Sequence, residues 1–251
     1  MYHFFTEPGF LTETEAVIMG TDVNHIRHVL RMKPGEQVVI SDGRGMNRLC
    51  ELTEIGEQQV RARVLPEEIA DTELPVNVTL FQGLPKGDKM ELIVQKCVEL
   101  GVSCIVPLAC SRCVVRLDQK KEEAKRRRWS GISESAAKQS KRTIVPEIAP
   151  AVSFEEAVEQ LKGYDLALIP YEDSERLPGA GGMRLTRELL SGLLPGQSCA
   201  VLIGPEGGFS DGEVELAISG GARPVTLGKR ILRTETAGLF ILSAIGLMTE
   251  E

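Results

Sequence analysis

Aromatic residues are scarce in this chain, at 4% of 251 positions with a single tryptophan, which leaves few rings on which flat ligands or unpaired bases could stack. Long apolar runs are missing as well. The longest, Ala237 to Met248, is too short for a bilayer and is interrupted by Gly238, Ser243 and Gly246. Met1-Tyr2-His3-Phe4-Phe5 has neither a basic region nor an extended apolar stretch, so no secretion signal is expected and the expected location is cytoplasmic. Without such a signal, six cysteines in a chain of this size do not argue for disulfides. Cys110-Ser111-Arg112-Cys113 has CxxC spacing, but a zinc site needs about four ligands. Neither Cys50, Cys97, Cys104 and Cys199 nor the three histidines form a matching second motif, so no metal is expected. GxGxxG followed by a ribose-binding acid is also absent, which disfavours a nucleotide-dependent dehydrogenase.

What remains is an ordinary globular composition, 42% hydrophobic and 26% charged, with a net charge of −7. The charge is unevenly spread. Arg112 to Arg142 holds eleven lysines and arginines against four acids, a local +7, so the rest of the chain carries −14. Lys120, Lys121, Glu122 and Glu123, with Lys125 and Arg126 one turn on, suit a solvated helix face. Lys125 to Arg128 is nevertheless an unbroken basic run beside Trp129, and phosphate binding is an open reading of it.

Residues 1 to about 70 read as a small β-rich domain. Glu36–Ser41, Asn47–Thr53 and Gln58–Leu65 are short Val-, Ile- and Leu-rich runs separated by Asp42-Gly43-Arg44-Gly45 and Ile55-Gly56-Glu57. A helix is expected over Asp22–Met32, ended by Lys33-Pro34-Gly35. The acidic, proline-flanked stretch Pro66–Pro75 reads as a linker. A second domain, about 71–251, alternates strands and helices, the grammar of a parallel sheet covered on both faces. Its expected strands are Val76–Gln82, Ser103–Leu108, Thr143–Ile148, Asp165–Pro170, Ser198–Ile203 and Pro224–Leu227. Asp88 with Glu91, and Ser210 with Glu213, have capping-box spacing. Helices are expected near 88–100, 117–138, 154–161 and 210–219, and Pro178 to Gly182 reads as a loop. The last helix, Thr234–Met248, is apolar nearly all round and must be covered, within this chain or by a second copy. A homodimer interface is the favoured reading.

Two segments carry the chemistry. Ile203-Gly204-Pro205-Glu206-Gly207-Gly208 follows an apolar strand, where open α/β sheets bind ligands, and its glycines admit a close approach of backbone amides. Glu206 would repel phosphate but suits a cationic cofactor such as S-adenosyl-L-methionine (SAM). Leu227-Gly228-Lys229-Arg230-Ile231-Leu232-Arg233-Thr234-Glu235 combines apolar residues able to sandwich an adenine with cations and a hydroxyl at a helix start. Arg233 is placed to meet an anionic group.

GPEGGFS at 204–210 followed by LGKRILRTETA at 227–237 resembles the bacterial 16S rRNA uridine-N3 methyltransferases. HVLRMKPGE and SDGRG (28–36 and 41–45), Lys86 to Glu91, Glu99 to Val102 and Gln139 to Arg142 extend the likeness over most of the chain. It departs at Cys110 and Cys113, where the family shows small or polar residues around an arginine, and at Lys138 and Lys141. The resemblance implies a PUA-like β-barrel joined to a SPOUT methyltransferase domain with a trefoil knot, a rare chain crossing that no periodicity would produce. It further implies a homodimer acting on 16S rRNA of the small ribosomal subunit, in the decoding region, with SAM bound by three loops: Ile169-Pro170, Leu202 to Gly208 and Leu227 to Arg233. A related enzyme acting on tRNA, or a non-catalytic RNA-binding assembly factor, are the alternatives.

Uridine N3 bears a weakly acidic proton, and a nearby cation favours its loss. Arg233 is the residue expected to supply that charge, with Thr234 or Glu235 as proton acceptors. RNA contacts are expected from His25, Arg27, Arg31, Lys86, Lys89, Arg112, Lys141 and Arg142, mostly to phosphates.

Overall fold

Alternation of apolar and polar residues builds the first of two units. Strands β1 (His3–Phe5), β2 (Glu15–Met19), β3 (Gln37–Ser41), β4 (Asn47–Ile55) and β5 (Gln59–Val64) form one sheet in the order β1-β3-β4-β5-β2. β1 runs parallel to β3 and the other pairs are antiparallel. In β2, Ala16 and Ile18 are buried while Glu15 and Met19 face out, and Val38, Ile40, Leu52 and Val60 complete the inner layer. β3, β4 and β5 lie where the sequence predicts strands; β1 and β2 are additions to that reading. The helix predicted over 22–32 is a short α1 (Thr21–Asn24) continued as a π-helix, His25–Leu30. Arg31 ends it in the left-handed region at φ 54°.

The computed structural model describes residues 1–67, 69–116, 118–171 and 182–250. By contact density, Met1–Glu73 and Ala137–Val145 form the first unit, Leu74–Ala136 and Pro146–Glu251 the second. The linker stretch is not slack at its end. Glu73 accepts from the backbone N–H of Thr143 at 2.9 Å and of Ile144 at 3.1 Å, and pairs with the Arg142 guanidinium.

The second unit has β6 (Asn77–Gly83), α2 (Lys89–Glu99), β7 (Cys104–Ala109), α3 (Gln119–Ser140, whose end joins the first unit), β8 (Glu147–Ile148) and β9 (Val152–Ser153). These are followed by α4 (Phe154–Leu161), β10 (Leu166–Pro170), α5 (Gly182–Ser191), β11 (Ser198–Ile203), α6 (Asp211–Ser219), β12 (Arg223–Val225) and α7 (Thr234–Thr249). Every strand pair in its sheet is parallel, in the order β12-β10-β11-β6-β7-β8, with β9 also on β7. β6 and β11 are buried on both faces along nearly their whole length. Phe81, Leu108, Phe154, Ile169, Leu202 and Phe209 share one core, each such side chain worth roughly 1.5–3 kcal/mol when fully buried.

Helix ends follow their caps. The Ser210–Glu213 capping box forms as predicted, and a second one joins Ser153 to Glu156. Asp88 does not form one: its backbone at φ −96°, ψ 8° is not the extended conformation that lets a side chain reach back, and Glu91 binds Arg128 at 2.8 Å instead. Of the predicted 143–148 strand only Glu147–Ile148 pairs, and the glycine-rich segment 178–182 lies outside the described residues except Gly182, which starts α5.

Helix α7 packs on α2, α5 and the sheet through Gly238, Ile241, Leu242 and Ile245. Its apolar character continues on the other side, where Phe240, Leu247 and Met248 are exposed.

A candidate active site at the strand ends

The carboxyl ends of β6, β10, β11 and β12 come together, and Tyr171 after β10 with the loops leaving β11 and β12 line a cavity of about 720 Å³. That volume falls within the roughly 300–1,000 Å³ of small-molecule sites, and the position is the one favoured in open parallel sheets. Pro170, Ile203, Gly204, Pro205, Glu206, Gly207, Gly208, Leu227, Gly228, Ile231, Leu232 and Arg233 all line it. Ile169 and Leu202 do not: both are fully buried in the sheet, one residue short of the opening. The two glycine-bearing turns that the sequence singles out thus share one pocket.

Close packing explains the glycines. A Cβ at Gly83, the last residue of β6, would stand 2.6 Å from the backbone nitrogen of Pro205, and one at Gly204 would stand 3.0 Å from Gly208. Gly208 (φ 66°) and Gly228 (φ 111°) occupy the left-handed region that other residues rarely adopt. The hydroxyl of Thr226 accepts from the Gly228 N–H at 3.2 Å, tightening the second turn. The first turn runs into the Ser210 cap of α6, so its amides sit at a helix N-terminus.

A buried polar relay ties the walls together. The Gln82 amide donates to Thr234 Oγ1 at 2.9 Å, and that hydroxyl donates its proton to the Gly204 carbonyl at 2.7 Å. Thr234, considered as a proton acceptor, is therefore occupied in both directions. Glu235 lies 3.5 Å from Lys89 Nζ and is not among the residues lining the cavity. Lys89 also pairs with Glu206 at 2.9 Å, and Glu206 accepts from the Lys86 backbone N–H at 3.1 Å. Glu206 is hence not the bare negative charge the sequence suggests. Partial burial is the largest influence and works against its ionised form, but the Lys89 hydrogen bond and charge together with backbone N–H donors outweigh it and hold the carboxyl below the usual range.

Among the cations, Arg112 is committed: Nη1 donates to the Gly207 carbonyl at 2.9 Å. Arg233 differs. As the N-cap residue of α7 it is held extended (φ −68°, ψ 156°), it is exposed, and its guanidinium has no ion-pair partner among the described residues. Lys229 and Arg230 join it on the cavity wall. The other proposed RNA-contact residues, Lys86 and Lys89 apart, lie in the first unit. His25 and Arg31 are exposed in the first unit, and Arg27 lies 4.0 Å from Glu57. Lys141 is exposed at φ 62°. Arg142 is a correction: it is 3% exposed and binds Glu73 through Nε and Nη2, so its charge does not face solvent. Trp129 is buried beneath Lys125 and offers no stacking surface. Gln82 and Tyr171, the latter 3.1 Å from Asp211, escaped the sequence reading; a lone glutamine ending an apolar strand was the available signal.

Known proteins of the same build place this geometry. The model of an RNA methyltransferase domain matches residues 72–246, and that of an RNA methyltransferase PUA domain matches 18–65. Ribosomal RNA small subunit methyltransferase E of Bacillus subtilis is 39% identical over 93% of this chain and 90% of its own. The structure of ribosomal RNA small subunit methyltransferase E from Neisseria gonorrhoeae bound to S-adenosyl methionine superposes with a TM-score of 0.83. It is 33% identical and covers 98% of this chain and 96% of that one. A Legionella pneumophila methyltransferase in complex with SAM gives 0.79, at 31% identity over 97% and 96%. No helix among the described residues is long and apolar enough to cross a membrane.

Proposed function

The chain belongs to the RNA methyltransferase family, and from that premise we propose that it uses SAM to methylate nitrogen-3 of one uridine in 16S rRNA. The observation that carries the chemistry is Arg233, a cation unpaired among the described residues, on the wall of a cavity whose glycine turns admit backbone groups to a ligand. When bound, SAM supplies an electrophilic methyl group on a sulfonium. The cavity fits it: Leu227, Ile231 and Leu232 give an apolar wall for an adenine, and the Gly207 amide in the 204–208 turn gives a hydrogen-bond donor, Pro205 having no N–H and the Gly208 N–H being bound to the Pro205 carbonyl.

The residues of this chain then have three tasks. The Gly83, Gln82 and Thr234 contacts hold the two cofactor loops in register. Arg233 lowers the acidity barrier at uridine N3, because a cation within hydrogen-bond reach stabilises the nitrogen anion as its proton departs. Thr234 and Glu235 act as positioning residues, since both are already engaged. Much of the rate comes from alignment of nitrogen, carbon and sulfur. Lys229, Arg230, His25 and Arg31 meet RNA phosphates, which supply affinity without sequence reading. The exposed apolar residues Phe240, Leu247 and Met248 suit a second copy of the chain, giving a homodimer. Such a substrate puts the enzyme in the cytoplasm.

The test pairs product mapping with one substitution. Small-subunit rRNA and tRNA are methylated separately, and the modified base is identified by nuclease digestion and mass spectrometry. Methyl on N3 of an rRNA uridine is expected; methyl on tRNA alone, or on another atom, overturns the assignment. Arg233→Ala is expected to keep SAM affinity within about threefold and to lose roughly a hundredfold in turnover, the scale of one electrostatic contact to a developing charge. Unchanged turnover removes Arg233 from the mechanism.

A further inference from the structure

Cys110-Ser111-Arg112-Cys113 has no task in methyl transfer, yet it is built against the cofactor turn. The Cys113 N–H donates to the Cys110 carbonyl at 3.0 Å, closing a tight turn after β7, and the Cys110 N–H donates to Cys113 Sγ at 3.3 Å. Both sulfurs are directed at one acceptor, the Leu108 carbonyl, at 3.9 Å and 3.6 Å. A turn closed in this way brings its end Cα atoms within about 7 Å, and a disulfide spans roughly 4.4–6.8 Å between Cα atoms. Cys110 is buried and Cys113 half-buried, so the second is the one a reagent reaches. No group of three or more His, Cys, Asp or Glu able to hold a metal occurs among the described residues.

The two residues between the thiols carry the coupling. Arg112 donates to the Gly207 carbonyl, and its Cβ lies 3.3 Å from where a Gly207 Cβ would be. Ser111 donates to Glu213 through its N–H at 2.7 Å and its hydroxyl at 2.9 Å, and Glu213 also closes the Ser210 cap of α6. A change in the CxxC turn therefore reaches both the middle and the far end of the 204–210 segment.

We propose that Cys110 and Cys113 are a redox-active dithiol, oxidised by a small disulfide of the glutathione class, whose closure loosens the Arg112 brace on the cofactor turn. The Cys113 thiolate attacks one sulfur of the small disulfide, forming a mixed disulfide and expelling one thiolate. Cys110 then loses its proton and attacks Cys113 Sγ, expelling the second. Two electrons pass from the protein to the oxidant, one S–S bond is exchanged for another, and the two protons end on the two released thiols. The environment assigns these roles. The Cys110 hydrogen bond holds the Cys113 thiol below the ordinary cysteine range against partial burial. Burial pushes Cys50 and Cys199 up to about 12 and Cys104 up to about 11, and raises Cys97 as well. The effect on the cavity rests on the cofactor reading above; the thiol exchange does not.

The test incubates the full-length chain with oxidised glutathione, then measures intact mass, maps alkylated cysteines after denaturation, and titrates SAM by calorimetry. A product lighter by two hydrogens is expected, with Cys110 and Cys113 protected and the other four cysteines alkylated. SAM affinity should fall roughly tenfold, the scale of one lost charge-assisted hydrogen bond, and return with dithiothreitol. Cys110→Ser should trap a lasting glutathione adduct on Cys113, and Cys113→Ser should show neither adduct nor affinity change. Alkylation of both cysteines after treatment overturns the dithiol, and a mapped disulfide with unaltered SAM affinity overturns the brace. A reduced protein that binds no SAM contradicts the cofactor reading instead, and the mass measurement still decides the dithiol.

Discussion

The two sheets of this protein dispose their side chains in opposite ways. In the first unit, β2 and β5 alternate buried and exposed residues, so the sheet has a solvated face and its cations stand in water. In the second, β6 and β11 are buried on both sides after their first residues, so their middles present no solvated face and only their ends remain for chemistry. The same contrast governs tolerance. A surface cation contributes singly and weakly, whereas a strand end in the parallel sheet is fixed by backbone contacts with the neighbouring loop.

Gly83→Ala tests this contrast most severely. The added methyl meets the Pro205 backbone rather than a flexible side chain, so SAM binding should weaken by roughly a hundredfold or more, with stability falling by about 1–3 kcal/mol. Ala16→Val, which adds bulk at a buried position of the small sheet, should lower the melting temperature while leaving SAM titrations unchanged. Equal SAM affinity in Gly83→Ala and wild type would break the comparison. A smaller effect is expected for Thr234→Val, which keeps the shape but leaves the Gly204 carbonyl and the Gln82 amide without their partner. SAM affinity should drop roughly tenfold, in line with about 1–3 kcal/mol for an unsatisfied buried group, and Thr234→Ser should restore it. A valine variant that binds SAM as tightly as wild type would show that the methyl, not the hydroxyl, holds the loops. The mildest is Arg31→Gln in the first unit. RNA affinity should fall a few-fold, the slope of log affinity against log salt should shrink by about one, and SAM affinity should stay put. An unchanged slope would take Arg31 off the RNA.

Where the sequence was legible, the signal was local and strong. The Ser198–Ile203 strand and the Phe154–Leu161 helix fall where their apolar patterns put them. The two glycine turns line one cavity because each follows a strand of the same parallel sheet. Where it was not legible, the deciding partner was distant or the element short. β1 has three residues and draws its register from β3, more than thirty positions away. Arg142 has the look of a surface cation until Glu73, sixty-nine residues earlier, takes its guanidinium. Asp88 and Glu91 have the spacing of a capping box, but Arg128 competes for the glutamate from another helix.

By itself, the sequence determined the fold class, the family and the two segments that line the candidate site, because periodicity, caps and paired motifs are properties of neighbouring residues. Tertiary structure alone decided which charges are free. Glu206 and Arg142 are neutralised by residues far along the chain, Arg112 is tied to the Gly207 carbonyl, and Arg233 is left unpaired among the described residues. Long-range pairing depends on which loops the folded sheet brings within hydrogen-bond reach, and no local pattern encodes that distance.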